Sequence, residues 1–261
     1  MKFFLAPMQG LTGYIVRNAF HHHFDYIDKY YTPFIPAAKR MNAKIKRDID
    51  PVNNDGITLI PQAMSIVADE VIDLHKQLAP YGYDEINVNL GCPSGTVVSK
   101  KRGSGILAYP DMLDSFLDEL YTKADFPVSI KTRVGFNDDE LWPELIEIYS
   151  KYPISELTVH PRVQKDFYKN TPRLDDFALA VQKINPDKTI LCYNGDITDT
   201  GSFKALTDRF PDIDEIMVGR GLFANPALIA ELKCISMDKA ELRERLKNWH
   251  DEILSGYLSI F

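Results

Sequence analysis

The residues best placed to do chemistry lie in Asn87-Val88-Asn89-Leu90-Gly91-Cys92-Pro93-Ser94. Glu85 to Asn89 reads as a buried strand that runs into a Gly-Cys-Pro turn. Pro93 cannot continue a ladder and Gly91 permits an unusual backbone, so the strand stops there. The turn presents a thiol just beyond the carboxyl end of a strand, where chemistry sits in α/β proteins. The same cysteine has a bland reading as a half-buried packing residue, and the octapeptide alone leaves both open.

Other reactive or polar groups recur at the ends of apolar segments. The first ends in Pro7-Met8-Gln9-Gly10, the third in Gln62, and the fifth in Lys131-Thr132-Arg133. The sixth ends in His160-Pro161-Arg162, the seventh in Asn194-Gly195-Asp196, and the eighth in Gly219-Arg220-Gly221. Each alone is weak: a lone histidine is more often a bonded core residue, and a lone lysine a surface charge. Together they make chemical sense. Glycines after the last two segments let backbone N–H groups approach a phosphate. Gln62, Asn89 and Lys131 offer donors to the polar edge of a planar ring, and Lys131 would stabilise charge on a reduced flavin.

The elements that must position these groups follow from periodicity. Strand candidates are 3–6, 26–30, 58–62, 85–89, 128–131, 156–160, 189–194 and 215–219. Segments of helical period separate them, with apolar sets at Ile66, Val71, Ile72 and Leu78, at Met112, Leu113, Phe116, Leu117 and Leu120, and at Leu141, Leu145, Ile148 and Tyr149. Eight strand–helix units in 261 residues predict an α/β fold, a (β/α)8 TIM barrel. No Gly-x-Gly-x-x-Gly follows the first strand, which counts against a doubly wound sheet. Helical stretches at 228–232 and 239–257 predict a short C-terminal extension, dividing the chain into a barrel over 1–225 and a helical segment over 226–261.

At 45% hydrophobic and 26% charged residues the chain has a globular composition, and no apolar run could span a bilayer. Cys92, Cys192 and Cys234 are too unevenly spaced for a disulfide framework or a zinc site, so no metal is expected and a reducing cytoplasm fits. The net charge of -7 argues mildly against nucleic acid. Two basic clusters stand against that total: Lys39-Arg40, Lys44 and Lys46-Arg47, and then Lys100-Lys101-Arg102 right after the cysteine turn. His21-His22-His23 reads as cations at a helix end.

In this order, Ala6-Pro7-Met8, Gln62, Asn89-Leu90-Gly91-Cys92-Pro93, Lys100-x-x-Gly103-Ser104-Gly105, Lys131-Thr132-Arg133, His160-Pro161-Arg162, Asn194-Gly195-Asp196 and Gly219-Arg220-Gly221 resemble the tRNA-dihydrouridine synthases. The resemblance runs from Leu5 to about Ala224, and the Asn-x-Gly-Cys-Pro element is its specific part. It implies FMN bound by Pro7, Met8, Gln9, Gln62, Lys131, His160, Asn194, Gly195, Asp196, Gly219 and Arg220. It implies hydride transfer to C6 of a uracil and proton transfer to C5 from Cys92. An ordinary cysteine, with a pKa of about 8.5, is protonated at neutral pH as that step requires. Asn89 and Arg133 would orient the base, Lys100, Lys101 and Arg102 would attract RNA, and NADPH would supply electrons. The family's C-terminal tRNA-binding bundle is expected here in reduced or truncated form, and the enzyme to be a cytoplasmic monomer. Two alternatives remain at this stage: another FMN barrel oxidoreductase acting on a small dihydropyrimidine-type molecule, and an RNA-binding barrel that has lost catalysis.

Overall fold

The computed structural model describes residues 1–37 and 40–260, so Lys39 of the first basic cluster lies outside the described residues. The chain forms two compact units, one of Met1–Pro33, Asn42–Ile60 and Asp196–Phe261 and the other of Phe34–Met41 and Pro61–Gly195. Residues on both sides of the 225/226 boundary read from the sequence fall in the first unit. Among the described residues no helix is long and apolar enough to cross a membrane.

The first unit contains β1 (Lys2–Leu5), β2 (Lys29–Tyr31), β4 (Leu59–Ile60) and β10 (Glu215–Val218). They are parallel in the order β10-β1-β2-β4, with Phe3 opposite Ile216 and Tyr30 opposite Leu59. Its long helices are α1 (Tyr14–His23), α8 (Thr200–Arg209) and α11 (Lys239–Leu258), with shorter α2 (Ala43–Ile49), α9 (Arg220–Ala224) and α10 (Leu228–Leu232). Asp199 caps α8 by accepting from the Ser202 N–H, and Asp238 caps α11 at Ala240 and Glu241.

The second unit has β3 (Ile35–Pro36), β5 (Gln62–Met64), β6 (Ile86–Leu90), β7 (Val128–Gly135), β8 (Glu156–Val163) and β9 (Ile190–Asn194), parallel in that order. Helices α3 (Ala68–Leu78), α4 (Gly95–Val98), α5 (Pro110–Lys123), α6 (Trp142–Ser150) and α7 (Leu174–Lys183) alternate with them. Side chains alternate between faces along a strand. Ile86, Val88, Leu90, Ile130, Val134, Leu157 and Val159 form one apolar set, all buried. On the same face Thr132 meets the Tyr149 hydroxyl of α6 at 2.9 Å, and Tyr193 packs edge-on to Phe177 of α7. Polar residues occupy the other face: Gln62, Asn87, Asn89, Ser129, Lys131, Arg133, Thr158, His160, Arg162, Cys192 and Asn194. The register places Gln62 beside Asn87, Asn87 beside Ser129, Asn89 beside Lys131, and Arg133 beside His160.

The structure differs from the sequence-based elements at several places, and the second strand is Lys29–Tyr31 rather than 26–30. Residues 58–62 were expected to be one strand but are two, β4 and β5, because Pro61 between them has no N–H for a ladder. β7 and β8 run to Gly135 and Val163, so Lys131 and His160-Pro161-Arg162 lie within strands rather than at their ends. A register shift between Arg133 and Gly135 accommodates Pro161 opposite it. β3 carries too few residues to have a periodic signature.

Candidate active site

In the second unit the Gly91–Pro93 turn has a partner for every backbone polar group. Asn89 Oδ1 accepts from the N–H groups of Gly91 (3.1 Å) and Cys92 (2.8 Å). The Gly91 carbonyl accepts from Arg133 Nε at 3.0 Å. The Cys92 carbonyl accepts from the Ser104 hydroxyl (2.8 Å) and N–H (3.1 Å), and the Pro93 carbonyl from Gln164 Nε2 at 2.9 Å. Gly103 has φ +55 and a Cβ there would lie 2.8 Å from the Cys92 carbonyl oxygen, so only glycine lets the following segment close on the turn. That is the physical content of the Gly103-Ser104-Gly105 spacing.

The thiol is half-buried. Burial pushes its pKa up, while the Ser94 N–H bond and the nearby Arg133 and Lys131 cations pull it down. The first effect wins, so Cys92 carries its proton at neutral pH.

Lys131 donates to Asn194 Oδ1 at 2.7 Å and has no carboxylate partner among the described residues. Enclosure of its ammonium, with the Arg133 guanidinium as second cause, lowers its pKa to about 7. A small addition of negative charge nearby therefore decides whether it is protonated. Arg133 is almost wholly buried. Besides Gly91, it donates to the carbonyls of Val163 (2.9 Å) and Phe167 (2.8 Å), and its guanidinium sits 5.5 Å from the Tyr168 ring centroid. His160 Nε2 accepts from Arg162 Nη1 at 3.1 Å, which puts the neutral ring's proton on Nδ1, and the ring stacks on Tyr168. Gln62 and Asn89 are both buried and bonded to each other at 2.7 Å.

The basic loop after the turn is not uniform. Arg102 donates to both carboxylate oxygens of Glu70, at 3.1 and 3.3 Å, and Glu70 also accepts from Ser65. Lys101 lies 4.3 Å from the Tyr109 ring centroid, and Lys100 is exposed. At the end of β9, a Cβ on Gly195 would collide with the Tyr193 hydroxyl at 2.0 Å.

In the first unit Pro7, Met8 and Gln9 follow β1, and the Thr12 hydroxyl bonds both the Met8 N–H (2.9 Å) and its carbonyl (3.2 Å), tightening the turn. Gly219 faces Ala6 and Met8, where a Cβ would sit 3.3 Å from the Ala6 methyl and 3.6 Å from the Met8 sulfur. Arg220 pairs with Asp196 at 2.6 Å on the surface. Of the other expected basic cluster, Lys44, Lys46 and Arg47 are exposed in this unit and Arg40 is exposed in the second.

Sequence reasoning gave no role of their own to Asn87, Ser129, Ser104 and Gln164. Asn87 had a signal: it is polar, two residues before Asn89, and so on the same face of a strand otherwise built from Ile, Val and Leu. Gln164 had none, because its partner is 71 residues away.

A family model described as dihydrouridine synthase (Dus) matches residues 4–253. A probable tRNA-dihydrouridine synthase of Staphylococcus aureus (strain COL) is 27% identical over 237 residues, covering 86% of this chain and 69% of its own. Among solved structures, a variant of NCR from Zymomonas mobilis aligns with TM-score 0.60 at 10% identity, covering 95% of this chain and 90% of its own. Morphinone reductase aligns with TM-score 0.60 at 11% identity, covering 92% and 88%. At such identities the likeness concerns the fold alone, and it places the chain among the α/β proteins of (β/α)8 barrel class.

Proposed function

The chain belongs to the dihydrouridine synthase family, and from that premise we propose that it reduces the C5–C6 double bond of uridine in tRNA. FMN is the proposed bound cofactor and NADPH the electron donor, in a cytoplasmic monomer. The observation that carries the reading is a protonated thiol on a turn whose backbone is held at every polar group, with Lys131 and Arg133 as neighbouring cations.

The residues present suit a flavin. Lys131 is an enclosed cation bonded to an amide rather than to a carboxylate among the described residues. Gln62 and His160 share its polar face in the second unit, where Asn194 and Gly195 end β9. In the first unit Pro7, Met8 and Gln9 form an apolar-to-polar turn, and Gly219 keeps the backbone beside it bare, with Asp196 and Arg220 nearby. When bound, reduced FMN supplies the hydride that reaches C6 of the uracil.

Cys92 gives its Sγ proton to C5. The resulting thiolate is stabilised by the Ser94 N–H and by the Arg133 and Lys131 charges, and solvent then restores the proton. Asn89 frames the base with the Nδ2 hydrogen left over from its bond to Gln62, and Arg133 with those left over from its bonds to three carbonyls. A uridine stacked in folded RNA must be extruded to reach them. Lys100 and Lys101 contact phosphates, while Arg102 is engaged by Glu70.

The test is anaerobic single-turnover oxidation of pre-reduced flavin by tRNA lacking dihydrouridine. Wild type should reoxidise rapidly, and Cys92→Ala should slow by roughly 10²–10⁴-fold with flavin binding intact. Flavin that binds normally yet is not reoxidised by tRNA would overturn the substrate assignment.

A further inference from the structure

Behind the thiol turn lies a file of buried amides. Asn89 Nδ2 donates to Gln62 Oε1 (2.7 Å), Gln62 Nε2 to Asn87 Oδ1 (2.8 Å), and Asn87 Nδ2 to Ser129 Oγ (3.0 Å). Asn87, Gln62 and Ser129 are fully buried, and Asn89 nearly so. The polarity of the file has one solution. The Gly91 and Cys92 N–H groups can only donate, so Asn89 must present its oxygen to them and its NH2 to Gln62. That fixes Gln62, which fixes Asn87, which needs an acceptor at its far end. Ser129 provides it.

We propose that Asn87 and Ser129 are positioning residues for the Cys92 thiol, acting through Gln62 and Asn89 on the backbone of its turn. Neither residue touches the turn. Loss of the Ser129 hydroxyl leaves Asn87 Nδ2 without its acceptor in a site closed to water, and the file re-pairs or rotates to compensate. Asn89 Oδ1 links the file to the turn, so the disturbance reaches the Gly91 and Cys92 amides. The direction of the thiol, and the aim of the Ser94 N–H at it, change together. The consequence for catalysis rests on the proton-donor reading of Cys92; the geometric claim does not.

The experiment measures alkylation of Cys92 by iodoacetamide from pH 6 to 10, resolved from Cys192 and Cys234 by mass spectrometry. It is run beside single-turnover flavin reoxidation by tRNA. Ser129→Ala and Asn87→Leu should shift the Cys92 alkylation profile to higher pH and slow reoxidation by roughly tenfold, with the flavin spectrum unchanged. Ser129→Thr, which keeps the hydroxyl, should restore both. Tyr149→Phe removes a buried hydroxyl bond on the opposite face of β7 and should lower thermal stability while leaving the Cys92 profile alone. Folded Ser129→Ala and Asn87→Leu proteins with a wild-type Cys92 profile overturn the proposal, as does an equal shift in Tyr149→Phe. If the profile shifts but wild type is not reoxidised by tRNA, the positioning role stands and the tRNA reading falls.

Discussion

The thiol turn and the C-terminal helix α11 are secured in opposite ways. The turn spans three residues and is held from four directions by Asn89, Arg133, Ser104 and Gln164, most of them reaching from distant segments. Helix α11 spans twenty residues and buries none of them fully. It rests on α1 through Trp249 against Phe20 at 5.3 Å, Arg245 donating to the His23 carbonyl at 3.1 Å, and Glu252 accepting from His22 and His23. Over-determination fixes a reacting atom at the expense of adaptability, whereas a helix held by one half-buried stripe leaves a charged face available and is cheap to displace.

The largest effect should come from Arg133→Met. If the guanidinium served only the base, stability would be untouched. Because it supplies donors to three carbonyls, the substitution should cost roughly 3 kcal/mol or more. By calorimetry that is a melting temperature lower by about 6–12 °C at this chain length. Stability within a degree of wild type would show that the turn is not held as argued.

Next comes the basic loop, where the comparison recurs on a smaller scale. Arg102 is built in through Glu70, whereas among the described residues no carboxylate pairs with Lys100 or Lys101. Reversing Lys100 and Lys101 to Glu should weaken tRNA binding about tenfold and reduce the salt slope by about two. Reversing Arg102 instead should register mainly as lost stability. Equal effects from all three would erase the distinction.

These distinctions show what the sequence could carry. The Gly-Cys-Pro stop, the apolar strand segments and the helical stretch at 239–257 were legible because each is a local pattern answering to a local physical rule. The strand limits of β7 and β8 were not, since Pro161 signals an end unless the neighbouring strand slips register to receive it. The partners of the turn were also hidden. Ser104 and Gln164 act through hydrogen bonds to carbonyls 12 and 71 residues away, and no pairing rule on one sequence can find such bonds. Arg133 was visible as a cation and assigned to the substrate; that its fork closes on three carbonyls depends on where Val163 and Phe167 lie.

A moderate, pH-dependent effect is expected where the loop beyond β7 meets α7. Burial raises the Asp176 pKa to about 7, and the Asp139 carboxylate adds to it. The folded state therefore holds a proton that the unfolded chain releases near pH 4, so stability falls as pH rises from about 4 to about 7 and the loss is complete above that. Asp176→Asn should raise the melting temperature by about 2–4 °C at pH 8, corresponding to about 1 kcal/mol after allowance for its partial exposure, and by nothing at pH 4. A pH-independent change would mean that the carboxyl pair is not the cause.

The smallest effect belongs to Glu252. Its two oxygens accept from His22 Nδ1 at 2.9 Å and His23 Nε2 at 2.8 Å, all partly exposed. Exposed pairs of this kind are worth about 0–1 kcal/mol, so Glu252→Ala should shift the global melting temperature by less than about 3 °C. The loss should appear locally, as faster hydrogen exchange across 239–258 with β6 and β7 amides unchanged, because α11 can open without exposing a core of its own. A drop as deep as that of Arg133→Met, with exchange accelerated throughout the first unit, would mean that α11 is built into its unit as firmly as the thiol turn into the other. The helix would then be a structural brace, and its exposed charges would be fixed in place before any RNA arrives.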